Sequence, residues 1–156
     1  MSRTESHLKD LGIELPQAAA PIANYVPSVI TGSILVISGQ LCLGADGKLA
    51  PQHIGKVGAD ITPEVAAEAA RLCAINLLAQ AKAALGDLDR IVRCVRLGGF
   101  INVAPDFLAL APVMNGASDL MVAALGDRGR HARSTVGMAQ LPLGAVVEIE
   151  AMFEVR

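Results

Sequence analysis

The sharpest pattern in the chain lies at its end. Val147, Ile149, Ala151, Phe153 and Val155 alternate with Glu148, Glu150, Met152, Glu154 and Arg156. A period of two predicts a strand with one buried face and one face bearing three carboxylates. Ile34-Leu35-Val36-Ile37 follows Thr31-Gly32 and stops at Ser38-Gly39-Gln40. This unbroken apolar run predicts a strand buried on both faces. Two further strands are predicted over Asp89 to Gly98 and over Arg130 to Met138.

Helical signals separate these strands. Thr62-Pro63-Glu64 combines a capping hydroxyl, a proline at the first helical position and an acid at the positive end of the dipole. The helix should run to Leu85 and end at Gly86, with Val65, Leu72, Ile75 and Ala79 on one face and Glu64, Glu68 and Arg71 on the other. Pro105 opens a second predicted helix that closes at Gly126, and Pro112 either kinks it or marks its true start. Leu8, Leu11 and Leu15 allow a short opening helix or a loop, stopped by Pro16. Pro21 and Pro27 frame an extended or looped segment holding Tyr25. Gly44 to Lys48 and Pro142-Leu143-Gly144 read as turns, and 51–60 as an irregular surface loop. The order is strand, helix, strand, helix, two strands, preceded by an N-terminal hairpin. That is an α+β fold, a mixed sheet with two helices packed on one face. A length of 156 residues suits a single domain, with residues 1–20 as an N-terminal extension.

Composition narrows the partners. The hydrophobic fraction is 53%, but three Phe, one Tyr and no Trp make the core aliphatic. A formal net charge of -2 without a basic tract argues against a nucleic-acid partner, because phosphate binding needs clustered positive charge. Cys42, Cys73 and Cys94 are odd in number and widely spaced, which disfavours a disulfide framework or a zinc site and predicts buried thiols. The N-terminus has no apolar signal region, and the apolar stretch from Phe107 to Leu125 carries Pro112, Asn115 and Asp119. No membrane segment and a cytoplasmic location are therefore expected.

The densest polar cluster is Asp127 to Thr135. If a strand begins near His131, then His131, Arg133 and Thr135 project to one side. A guanidinium fork beside an imidazole and a hydroxyl suits capture of a small carboxylate, and Arg133 is its natural centre. Glu148 and Glu150 share one side of the last strand and are the candidate acid/base groups. His7 and His53 read as surface residues, and Asn76 as a buried hydrogen-bonding residue.

Ala132-Arg133-Ser134-Thr135-Val136, then Ala139-Gln140-Leu141-Pro142 and Val147-Glu148-Ile149-Glu150-Ala151, resemble the Rid family. These are YjgF-like reactive intermediate deaminases, long described as endoribonuclease L-PSP or translation inhibitors. Pro21-Ile22-Ala23-Asn24-Tyr25 and the strand ending in Ser38-Gly39-Gln40 extend the match. The resemblance runs from about residue 20 to the end. It implies a chorismate-mutase-like fold and a homotrimer with pockets in the clefts between subunits. It places Arg133 on the substrate carboxylate and Glu148 on the hydrolytic water. Tyr25 and Ser38 become pocket residues, Gly39 and Thr135 lend backbone groups, and Asn115 matches a helical pocket Asn across a gap. The implied reaction is hydrolysis of a 2-imino acid, formed from an enamine, to a 2-oxo acid and ammonia, with no metal or organic cofactor. Thr135 stands where many members have Cys. This, the His131 neighbourhood and extra residues at 50–60 and before the Arg strand mark a divergent branch. A non-catalytic module that binds small carboxylates is the alternative, and a ribonuclease a more distant one.

Overall fold

Alternation, caps and turns resolve into elements that follow one another along the chain. They are helix α1 (Arg3–Asp10), strands β1 (Ser28–Thr31) and β2 (Ile34–Leu41), helix α2 (Pro63–Leu85), strand β3 (Ile91–Asn102), helix α3 (Leu110–Leu125), and strands β4 (Ala132–Met138) and β5 (Val147–Val155). The structure is a computed structural model that describes residues 2–21 and 23–156. Met1, and Ile22 of the Pro21–Tyr25 motif, lie outside the described residues.

The strands form one mixed sheet in the order β1-β2-β5-β3-β4. All neighbours are antiparallel except β3 and β4, which run parallel. A parallel pair needs a long crossover, and α3 supplies it. Leu35, Ile37, Leu97, Ile101, Ile149, Ala151 and Phe153 point from the sheet into one core shared with α2 and α3. Thr62 caps α2 by accepting from the Val65 N–H at 3.3 Å, and Gly86 ends it in a left-handed conformation, φ 76°. Both ends agree with the sequence reading.

Several expectations need correction. Strand β2 runs eight residues and alternates, with Leu35 and Ile37 buried and Ile34 and Val36 only partly so. It pairs in a hairpin with β1, and one face of the sheet carries no helix, so its apolar run is not covered on both sides. The N-terminal hairpin expected before this strand reduces to the single strand β1, which pairs with β2 itself. Helix α2 buries Ala66, Ala69, Ala70, Cys73, Ala74, Leu77, Leu78 and Ala81 most deeply, rather than centring on Val65 and Leu72. Alanine gives little hydrophobic contrast, and the sheet and α3 enclose this helix on two sides. Helix α3 begins at Leu110, not Pro105, which puts Pro112 within the first turn, where its missing N–H costs no internal bond. Strand β3 starts after a 3-10 turn over Leu88–Arg90 and continues to Asn102. Residues 51–60 contribute buried His53 and Val57, so this loop belongs partly to the interior and His53 is not a surface residue.

A third helix, α1, lies across the ends of α3 and β3. Asp89 accepts from the Thr4 hydroxyl at 2.7 Å and from the N–H groups of Arg3 and Thr4, which anchors the start of α1. Those bonds hold the Asp89 carboxyl well below the usual carboxylate range. The three cysteines are free and buried. Asn76 donates to the carbonyls of Leu41 and Leu43, as a buried hydrogen-bonding residue should. Among the described residues no helix is long and apolar enough to cross a membrane.

Candidate functional site

Arg133 sits opposite Leu97 in the β3–β4 pairing and therefore faces the helices. Its Nη1 donates to Asn115 Oδ1 at 2.9 Å and to Ser118 Oγ at 3.0 Å, and Nη2 reaches the Ala111 carbonyl at 3.5 Å. Asn115 and Ser118 are three apart on α3 and so share a face. Both Nη1 protons are thus committed, while Nε and one Nη2 proton remain for a ligand. His131 lies on the same strand side. One ring nitrogen, Nε2, is 2.9 Å from Ser118 Oγ, and Nδ1 is 2.6 Å from the Gly129 carbonyl. Thr135 completes the row that alternation predicts. Its hydroxyl is buried without a hydrogen-bond partner among the described residues.

Glu148 belongs to a second cluster. Strand β2 carries a bulge between Ile37 and Gln40, at Ser38-Gly39, which bends the strand beside Glu148. A Cβ on Gly39 would lie 3.0 Å from Glu148 Cδ and overlap Oε1. Glycine is therefore what lets the carboxylate lie flat on β2. Ser38 does not present its hydroxyl to the cleft. It donates to the Val26 carbonyl at 3.0 Å while its N–H donates to Pro27, fastening the loop that carries Tyr25. Tyr25, Gly39, Gln40 and Gln80 line a small cleft of about 100 Å³. A larger cavity, about 620 Å³ between α1 and the end of α3, contains none of the candidate residues.

Burial pushes the Glu148 carboxyl above its usual value, and the neighbouring Glu150 pushes it further the same way. Arg96 pairs with Glu150 at 3.5 Å and with the Ser134 hydroxyl at 3.1 Å. Glu148 has no such cation among the described residues. A raised carboxyl penalises the folded state only once it is ionised. The penalty is absent below the unfolded-state value of about 4.3 and complete above the folded one. Glu148→Gln should therefore melt higher than the parent at pH 7, and the gap should close as pH falls to about 4. Thermal unfolding across pH measures this, and equal midpoints at pH 7 would contradict it.

Gly39→Ala tests the close approach. The colliding atom ends a flexible side chain, so the melting temperature should shift by only about 2 °C. The carboxylate must swing away by about 1 Å or more, and any chemistry that depends on its position should fall roughly 10²-fold.

The two clusters do not meet within the chain. Arg133 pairs through Leu97 to Ala151 on the helix face, whereas Glu148 pairs with Phe100 on the opposite face. Arg133, Asn115, His131 and Thr135 form one cluster, and Gly39 with Glu148 forms another, with Tyr25 and Ser38 beside Gly39. Sequence reasoning missed Ser118, which touches both Arg133 and His131, and the lining residues Gln40 and Gln80. The three-residue spacing from Asn115 was the available signal for Ser118. Among the described residues, no group of three or more His, Cys, Asp or Glu is placed to hold a metal ion.

The chain is similar to known proteins over nearly its whole length. Residues 5–155 match the family described as "YjgF/chorismate_mutase-like, putative endoribonuclease". Protein TCP17 of Trypanosoma cruzi is 47% identical over 155 residues, covering 99% of this chain and 95% of its own. The crystal structure of Atu1372, a protein of unknown function from Agrobacterium tumefaciens, is 49% identical, with a TM-score of 0.90 over 98% of this chain and 92% of that one. The structure of E. coli TdcF with bound serine is 26% identical, with a TM-score of 0.65 over 90% of this chain and 94% of that one. Over nearly its whole length, this chain belongs to the YjgF/chorismate-mutase-like family.

Proposed function

We propose that the protein hydrolyses small 2-imino acids, formed from enamines, to 2-oxo acids and ammonia, at a site assembled from two subunits of a homotrimer. One observation carries this reading. Each half of the site is built and incomplete, and the halves lie on opposite faces of the sheet. Arg133 offers an uncommitted Nε–Nη2 edge, which matches the two oxygens of a carboxylate. Glu148 offers a carboxylate that burial and the neighbouring Glu150 make more basic, the direction a general base requires. A second copy that lays its Arg133 edge against Gly39 and Glu148, beside the cleft that Tyr25 lines, would close the site.

The helix-free face of the sheet supports association. Val29, Val136 and Met152 are 52%, 42% and 37% exposed there, among Val36 and Phe100. Exposed apolar side chains gathered around the Arg96–Glu150 pair suit a contact surface with charged groups at its centre. A solved relative carrying serine supports a ligand of amino-acid size.

In the proposed reaction the substrate carboxylate docks on Arg133. Glu148 takes a proton from water as the water oxygen bonds to the imine carbon. That proton passes to the imine nitrogen to give a carbinolamine, whose hydroxyl then gives up its proton through Glu148 to the same nitrogen, so that the C–N bond breaks and ammonia leaves as the carbonyl forms. No residue changes oxidation state, and Glu148 returns as a carboxylate.

Subunit mixing tests the shared site. Arg133→Ala and Glu148→Gln should each be inactive alone. When the two are refolded together, about one quarter of the interfaces in a closed ring recover both intact groups, so about one quarter of the parental activity should return. Mixed oligomers of verified composition that stay inactive would overturn the reading. The binding-module alternative predicts saturable 2-oxo acid binding, lost in Arg133→Ala, with no turnover. The endoribonuclease description lacks the clustered positive charge that RNA requires at a net charge of -2.

A further inference from the structure

His131 is close to Arg133 but does not touch it. Its two nitrogens are both engaged, one 2.6 Å from the Gly129 carbonyl and the other 2.9 Å from Ser118 Oγ. A carbonyl can only accept, so Nδ1 carries the ring proton. In the neutral imidazole Nε2 is then an acceptor, and the Ser118 hydroxyl must donate to it. With its proton aimed at His131, Ser118 turns its lone pairs toward Arg133 Nη1, which donates at 3.0 Å. The neutral ring satisfies all of these bonds at once.

This chain of bonds has a consequence for the guanidinium. Ser118 and Asn115 take both Nη1 protons, and the Ala111 carbonyl takes one on Nη2. Only the Nε–Nη2 edge is left. We propose that His131, acting through Ser118, is a positioning residue that locks the Arg133 guanidinium so that this one edge meets the substrate carboxylate. The inference rests on the proposed function of Arg133 and adds a role for two residues behind it. Without His131, the Ser118 hydroxyl rotates freely and its proton competes with Arg133 for the same space. The guanidinium then samples several orientations, and docking a carboxylate costs the entropy of fixing it.

The test is a double-mutant cycle on His131 and Ser118, read by pyruvate binding and by 2-iminopropionate kinetics. His131→Ala and Ser118→Ala should each weaken pyruvate by about tenfold, the equivalent of one charge-assisted hydrogen bond or less. KM should rise while kcat stays within about twofold, because the chemical step uses Glu148 and water. The double variant should lose no more than either single one, since both act through one chain. Ser118→Thr, which keeps the hydroxyl, should bind pyruvate like the parent. Additive losses in the double variant would overturn the relay, as would single variants that bind like the parent while Arg133→Ala binds nothing. If Arg133→Ala itself binds pyruvate normally, the carboxylate reading of the site fails, and that outcome is distinct from failure of the relay alone.

Discussion

Arg133→Ala is expected to lower kcat/KM for 2-iminopropionate by roughly 10²–10⁴-fold, the worth of two charge-assisted hydrogen bonds at about 1.5–3 kcal/mol each. The loss should come without unfolding. Arg133 is only partly buried, and its partner Asn115 is exposed, so the acceptors it leaves behind can turn to water. Arg133→Lys keeps the charge but cannot satisfy Asn115 and Ser118 while also offering two parallel donors, so it should recover little. Imines also hydrolyse in buffer, and the assay must subtract that background. A variant that turns over like the parent, with an unchanged melting curve, would remove Arg133 from the chemistry.

The magnitude of that loss depends on geometry that a linear reading could reach only in part. The Ala132–Thr135 cluster made Arg133 a candidate because alternation puts three polar groups on one side of a strand. The helix α3 that holds Arg133 was also legible, but its start was not. Pro105 has the chemistry of a first helical residue, yet the first turn forms around Pro112. Ser118 was missed because its three-residue spacing from Asn115 gains meaning only once the strand that faces this helix is known.

The opposite placement of Arg133 and Glu148 was hidden for a stronger reason. Period-2 alternation assigns sides within a strand but says nothing about parity between strands. That parity depends on register: Arg133 shares the row of Leu97 and Ala151, and Glu148, three residues from Ala151 along β5, falls on the other face. The same logic explains β2. Its four apolar residues suggested burial on both faces, but only the helix side is covered within the chain. The error and the proposed subunit contact have one origin, an apolar face that the single chain leaves open. By contrast, β5 was legible in full, because each of its positions alternates without interruption.

Gly116→Ala should destabilise the fold by about 3 kcal/mol, against the sign of helix propensity, which favours alanine over glycine inside a helix by about 1 kcal/mol. Gly116 lies on α3 where it crosses α2. A Cβ there would overlap the Ala67 carbonyl oxygen and come within 2.8 Å of its carbon. Both obstacles are backbone, so no rotamer change relieves them, and the helices must separate. Separation opens gaps around Ala70, Ala117 and Leu120, residues whose small size or tight fit defines this contact. For a chain of this size the melting temperature should fall by roughly 6–12 °C, measured at one protein concentration because assembly also stabilises. A midpoint equal to or above the parent's would mean that the helices are not in contact at this level. The same change reaches the site. Gly116 lies between Asn115 and Ser118 in sequence, so moving α3 displaces both acceptors that hold Arg133. Pyruvate affinity should therefore drop in Gly116→Ala even where the protein remains folded, and a stable variant with parental affinity would separate the α2–α3 crossing from the guanidinium it supports.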